Sequence, residues 1–255
     1  MKKKGSEPGP SSVSSQTGRA PHPSAATSRM GGKASTSSIY GHLLPRSFFE
    51  DKPELVAPRL LGKLLVHSTG GLVLAGRIVE VEAYLGPHDD TPDPAAHSHR
   101  GPTPRNEVLF GSAGHAYIYA IYGRYFCANI SCETVGRAGS ILLRALEPLG
   151  DPSALRQMAI NRGLASNAPP RLLTSGPGRL CQALGLTRLG HNGLDLVNRA
   201  SPLQVRDDTA AFPEALVTVR IGITHAPDLP LRFALPAHPY VSGARGLTGQ
   251  RILIR

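Results

Sequence analysis

The chain has 255 residues, a formal net charge of +10, 40% hydrophobic residues and three cysteines, Cys127, Cys132 and Cys181. That length suffices for one domain with a full core, and the lack of any apolar run of about 18 residues, or of an apolar export signal, predicts a soluble chain that is neither membrane-spanning nor secreted. Few cysteines, odd in number and without zinc-ligand spacing, predict a reduced compartment and neither structural metal nor cofactor.

Residues 1–40 hold half of the charge surplus, with Lys2, Lys3, Lys4, Arg19, Arg29 and Lys33 against Glu7 alone. Their Ser, Gly, Pro, Ala and Thr composition offers almost nothing to bury and predicts a disordered tail. Lys2-Lys3-Lys4 reads as the start of a nuclear address or a DNA-tethering arm, the Arg/Ser content also as an organelle transit peptide, and a solvated tail is the plainest reading. The rest of the surplus suits a polyanionic partner, although many ordinary domains are as basic. Residues 41–245 read as one folded domain and residues 246–255 as a C-terminal extension.

In chain order, Pro53 suits a helix first turn and Gly62 its stop, with Pro58 keeping the helix short. Lys63–His67 and Leu72–Leu85 flank Ser68-Thr69-Gly70-Gly71 and predict a β-hairpin. In its second strand Val79, Val81, Ala83 and Leu85 alternate with Ile78, Glu80, Glu82 and Tyr84, so two carboxylates and a tyrosine share one face. Residues 86–106, dense in Pro, Gly, Asp and His, form a long loop beside that strand. An aromatic hairpin runs from Tyr117 to Ser131 with Tyr122-Gly123-Arg124 at its tip. Ser140–Leu146 alternates as a strand with Arg144 on an apolar face, where an arginine calls for a carboxylate or phosphate partner. Pro152–Arg162 reads as a helix capped by Asp151 or Ser153, and 163–174 as a loop. Ser175-Gly176-Pro177-Gly178-Arg179 opens a helix over 180–184, a weak phosphate-binding signal. Val217–Ile223 and Leu231–Leu235 read as strands.

The side chains narrow the chemistry. A deaminase needs zinc and a Cys-x-x-Cys pair, and a phosphoesterase needs clustered acidic metal ligands; neither is present. A bifunctional lyase needs a nucleophilic lysine, and beyond the tail only Lys52 and Lys63 occur, outside the aromatic segment. A carboxylate that activates water is what is left, with Glu82 the candidate and Glu80 a second on the same face. Flat tyrosine rings suit nucleobases, and electron-rich rings favour a cationic, alkylated purine. Chemistry on a base inside a duplex requires that base to leave the stack, and Tyr122 is the candidate plug for the gap. The plainer readings are a solvent-facing Glu82, structural roles for Tyr117 and Tyr125, and small buried hydrophobes at Cys127 and Cys132.

Glu80-Val81-Glu82-Ala83-Tyr84-Leu85-Gly86, Ala96-His97-Ser98, Thr103-Pro104-Arg105-Asn106, Gly114–Tyr119 through Tyr122-Gly123 to Asn129, Leu143–Pro148, Ser175–Gly178 with Leu180–Gly185, and Pro230–Phe233 together resemble the alkyladenine (3-methyladenine or methylpurine) DNA glycosylases, in colinear order over residues 42–243. The resemblance implies a single mixed α/β domain with a curved antiparallel sheet, a protruding hairpin and surrounding helices. It further implies a metal-free monomer that flips alkylated or deaminated purines out of double-stranded DNA, among them 3-methyladenine, 7-methylguanine, hypoxanthine and ethenoadenine. By position, Glu82 would deprotonate the attacking water and Arg144 would help hold it. Tyr84, His97 and Tyr119 would sandwich the base, Asn129 would crowd the 2-amino group of guanine, and Tyr122 would intercalate. His97, preceded by Ala95-Ala96, fits the pattern better than His99. Arg100, Arg105, Arg124, Gly178 and Arg179 are candidates for DNA backbone contacts, and Arg124 stands where methionine is more usual. Asp89–Pro94 lengthens the loop before His97. The readings to be separated from this one are a non-catalytic minor-groove DNA-binding module, which has no use for Glu82, and a mostly helical glycosylase of helix-hairpin-helix type suggested by Gly176-Pro177-Gly178.

Overall fold

The computed structural model describes residues 39–243 and 247–254, and the basic tail expected at the N-terminus lies almost wholly outside the described residues. Among the described residues ten strands form one antiparallel sheet. Seven follow the spatial order β1 (His42–Leu43), β7 (Leu203–Asp207), β2 (Leu64–Thr69), β3 (Leu72–Tyr84), β6 (Gly139–Leu149), β5 (Tyr125–Cys132) and β4 (Ala116–Ile121). Three more, β8 (Glu214–Thr218), β9 (Arg232–Ala234) and β10 (Gln250–Leu253), branch off where β9 pairs with β3. This is a mixed α/β fold built on strands, and the helix-hairpin-helix alternative does not describe it.

The 13-residue β3 is the strand on which the site is built. Its first half pairs with β2 across a Gly70-Gly71 turn in which both glycines take positive φ, as the turn composition predicts. Its second half pairs with β6 on one edge and β9 on the other, so both edges are hydrogen-bonded. Val79, Val81 and Ala83 enter the main core, and Glu80 and Glu82 are fully buried as well. The plain reading of Glu82 as a solvent-facing carboxylate is therefore corrected, because arginines and loop amides roof the polar face of β3. Around Glu80 the β3–β6 pairing steps over Val79 on one strand and Arg144 on the other. These facing irregularities lift Arg144 out of the ladder, as bulges beside functional sites do. Arg144 thus leaves the simple alternation with Leu142 and Leu146 and reaches two carboxylates on the neighbouring strand.

Among the described residues six α-helices frame the sheet: α1 (Pro53–Leu60), α2 (Glu107–Phe110), α3 (Pro152–Asn161), α4 (Arg171–Thr174), α5 (Pro177–Ala183) and α6 (Arg188–His191). The Asp151 carboxylate caps α3 by accepting from the Ser153 and Ala154 amides at 2.9 Å, a contact worth about 1 kcal/mol. Helices α3, α4 and α5 pack together over β3, β5 and β6. One turn of helix, α4, lies within the expected 163–174 loop, in a segment too short for periodicity to register. The expected strand Val217–Ile223 ends at Thr218, where the β9 partner positions run out. Residues 250–253 pair with β8 as an edge strand.

The β4–β5 hairpin closes through Tyr122-Gly123-Arg124, as expected. Tyr122 has φ +48° and is 91% exposed, so an aromatic side chain sits in solvent on a backbone that favours glycine.

Candidate active site

A cavity of about 390 Å³ opens beside the hairpin, lined by Tyr84, His97, Tyr117, Tyr119, Cys127, Asn129 and the buried Arg144, and also by Ile121, the exposed Tyr122 and Ile221–Ile223. Beneath Arg144 lie the two buried carboxylates of β3, and they differ in how their lone pairs are used. Glu80 accepts four hydrogen bonds, three on Oε1 from Arg144 Nε (2.9 Å), Arg232 Nε (2.7 Å) and the Ser242 hydroxyl (2.9 Å) and one on Oε2 from the Ser242 amide (2.7 Å). Glu82 accepts from the Tyr84 hydroxyl at 3.1 Å and the Ile221 amide at 2.8 Å, and Arg144 Nη1 lies 3.1 Å from its Oε1. Two hydrogen bonds, against four on Glu80, leave acceptor room on Glu82 for a water molecule, with the paired Arg144 cation already beside it.

The slot above is aromatic. Tyr117 and Tyr119 stack with centroids 5.3 Å apart, and the His97 ring meets Tyr119 edge-on at 4.4 Å. His97 Nδ1 stands 3.0 Å from the Tyr117 hydroxyl. Desolvation, reinforced by the Arg105 cation, lowers the His97 pKa and favours its neutral form. Burial pushes the hydroxyls of Tyr84 and Tyr119 far up, with the Glu82 charge adding to the effect on Tyr84, so both stay protonated as donors. The Asn129 side-chain nitrogen is buried without a hydrogen-bond partner among the described residues.

Of the residues singled out in the sequence, Tyr84, His97, Tyr119, Asn129 and Arg144 line one cavity, Glu82 lies directly behind it, and Tyr122 stands at its rim. His99 does not line it; with Arg100 and Arg105 it borders a neighbouring cavity that shares Ala95, His97 and Tyr117 with the first. The Arg105 guanidinium lies 5.8 Å from the Tyr119 ring centre and that of Arg124 lies 5.3 Å from Tyr125. Gly178 admits the Tyr125 side chain to 3.6 Å of where its own Cβ would be. Arg179 is exposed at the start of α5, with Nη1 3.3 Å from the Ser175 carbonyl. Asp93, Arg220 and Ile221 were not assigned a role from sequence, and Cys127, read there as a small buried hydrophobe, also lines the cavity. Arg220 carried a legible signal, an arginine inside the apolar run Val217–Ile223, the same signal that marked Arg144. Asp93 carried none, being one of three aspartates in a Pro-rich loop.

A ring-lined slot above a buried carboxylate, on a basic chain, is the layout of a DNA glycosylase. Residues 47–239 match the family model described as methylpurine-DNA glycosylase, and the chain belongs to that family. It is 50% identical over 204 residues to a protein of Koribacter versatilis named "Putative 3-methyladenine DNA glycosylase", covering 80% of this chain and 95% of the relative. A protein of the same name from Methanoculleus marisnigri is 50% identical over 203 residues, covering 78% of this chain and 98% of the relative. A third, from Rhodopseudomonas palustris, is 46% identical over 207 residues. These relatives are bacterial and archaeal and lend no support to the nuclear address expected from Lys2-Lys3-Lys4. Among the described residues no helix is long and apolar enough to cross a membrane.

Proposed function

We propose that this chain, acting as a monomer, flips alkylated or deaminated purines out of duplex DNA and hydrolyses the N-glycosidic bond without strand cleavage. The observation that carries the reading is the buried Glu82 carboxylate, which accepts only two hydrogen bonds and is paired with Arg144 against the aromatic slot. Glu82 takes a proton from a water whose oxygen bonds to the sugar C1′ as the bond to the base nitrogen breaks. Arg144 holds that water, and the rings of Tyr84, His97 and Tyr119 hold the base. A cationic base such as 3-methyladenine or 7-methylguanine leaves neutral, so it needs no acid; hypoxanthine and ethenoadenine leave as anions that take up a proton from water, a harder departure from the same slot. Lys52 and Lys63 are engaged elsewhere, with Asp89 or Asp90 and with Asp207, which supports hydrolysis over lyase chemistry. Arg100, Arg105, Arg124 and Arg179, with the amide of Gly178, are the proposed contacts to the DNA backbone.

The test is Glu82→Gln, which keeps shape and removes the proton acceptor. Base release from duplexes carrying hypoxanthine or 7-methylguanine should fall by at least about 1,000-fold, with duplex affinity equal or higher because a charge that repels phosphate is gone. Release within tenfold of the wild-type rate would overturn the assignment. So would wild-type binding with no release from any damaged duplex, the outcome that a non-catalytic groove-binding module requires.

A further inference from the structure

Behind Tyr84 lies a second buried ion pair that the chemistry above does not use. The Arg220 guanidinium sits 4.6 Å from the centre of the Tyr84 ring and does not line the cavity, so it covers the face turned away from the base. It is fully buried and paired with Asp93, also fully buried, through Nη1 and through Nη2 at 3.0 Å, and Nη1 also donates to the Ala83 carbonyl at 3.1 Å. Asp93 in turn accepts from the Leu85 amide at 3.3 Å and the Ala95 amide at 3.0 Å, tying down both ends of the loop that delivers His97. The residue after Arg220 is Ile221, whose amide donates to Glu82. One cation therefore touches the stacking ring, the His97 loop by way of Asp93, and the chain segment that orients the water-activating carboxylate. A surface pair would do little of this; a buried bidentate pair fixes geometry, and a planar guanidinium stacks where an ammonium does not.

We infer that Arg220 and Asp93 are positioning residues for the base pocket: the pair clamps the rear face of Tyr84, sets the Ile221 amide on Glu82, and keeps the charge behind the slot neutral so that a cationic purine is accepted. The inference rests on the glycosylase reading and adds a prediction that reading alone does not make. With Asp93 neutralised, Arg220 becomes an uncompensated cation on the far side of the ring from the base, which opposes a cationic base and leaves a neutral one less affected.

Three variants test it in single-turnover release from duplexes carrying 7-methylguanine (cationic) or hypoxanthine (neutral), with thermal melting and undamaged-duplex affinity as controls. Arg220→Lys, which keeps the charge and loses the planar fork, should slow both releases at least tenfold while undamaged-duplex affinity stays within twofold. Asp93→Asn should slow 7-methylguanine release at least fivefold more than hypoxanthine release. Should Asp93→Asn fail to fold, the doubly neutral Asp93→Asn/Arg220→Gln, which buries no unpaired charge, keeps the test alive: folded but at least tenfold slower on both bases is the expected result. A folded Arg220→Lys or double variant releasing both bases within twofold of wild type overturns the clamp, and equal slowing of both bases in folded Asp93→Asn overturns the charge argument. Wild-type protein that releases neither base would sink the glycosylase reading instead, which keeps the two failures apart.

Discussion

At Asn129 the buried, unpartnered side-chain nitrogen is a hydrogen-bond donor in search of an acceptor. Hypoxanthine and adenine present the acceptor N3 on their minor-groove edge, whereas guanine adds an amino donor there, so a guanine in the slot sets donor against donor. Asn129→Ser shortens the side chain and relieves that conflict. The preference for hypoxanthine over guanine should drop by about tenfold, measured as release from matched duplexes, which corresponds to about 1.4 kcal/mol of discrimination. Tyr122 allows a sharper separation of fold from function. A non-glycine residue at positive φ costs roughly 1 kcal/mol, so Tyr122→Gly should leave stability equal or raise it by about 0.5–1 kcal/mol in a chemical melt. The same change removes the ring proposed to fill the gap left by a flipped base. Damaged-duplex affinity and 2-aminopurine fluorescence next to the lesion should then both decrease. Higher stability with unchanged unstacking would rule Tyr122 out as the wedge.

At the scale of elements, β3 and β9 are joined by Glu80 with Arg232, both buried, and removing one partner strands a charge. Arg232→Ala should cost about 3–5 kcal/mol, while Arg251→Ala in the exposed pair with Glu214 should cost under about 1 kcal/mol, as read from denaturant midpoints. A second join links β2 to α6. The Leu184 carbonyl can only accept, so His67 Nδ1, 2.7 Å away, carries the proton and its Nε2, 3.1 Å from His191 Nε2, accepts one from His191. A further proton would set N–H against N–H, and burial lowers the pKa of both rings. Their folded-state values thus lie below the unfolded value of about 6.5, the unfolded chain binds more protons, and stability falls as pH drops through about 6.5. The Tm should decline between pH 7.5 and pH 5.5, and His67→Gln should flatten that decline while lowering the Tm at pH 7.5.

Which of these features were legible in the sequence follows from range. The β2–β3 and β4–β5 hairpins, the Asp151 cap and the Tyr122 tip depend on residues no more than 14 positions apart, and pattern and turn chemistry reveal them. Arg144 announced a missing partner by its apolar neighbours, though not that a bulge would hand it two. Glu80 and Glu82 read as a polar face because alternation records polarity and not burial; their roof comes from Ile221, Arg232 and Ser242, far along the chain. The two-residue β1 and the edge strand β10 are defined by their partners and have no periodicity of their own.

For the molecule as a whole, charge separates binding from chemistry. Half of the +10 surplus lies in residues 1–40, so their deletion should weaken undamaged-duplex binding most at low salt and flatten its salt dependence. Single-turnover release at saturating enzyme should be unchanged; a loss there would place the tail in the site.

The distant partners of Glu80 have a consequence for how the chain is made. Its carboxylate leaves the ribosome long before its partners, since Ser242 follows 162 residues later. At about 5–20 residues per second that gap lasts roughly ten to thirty seconds. During this interval the strand at the centre of the sheet carries two carboxylates that cannot yet enter a dry interior. Translation stalled before Ser242 should therefore yield a protease-sensitive nascent chain, and the glycosylase should acquire its site only as its last strands arrive.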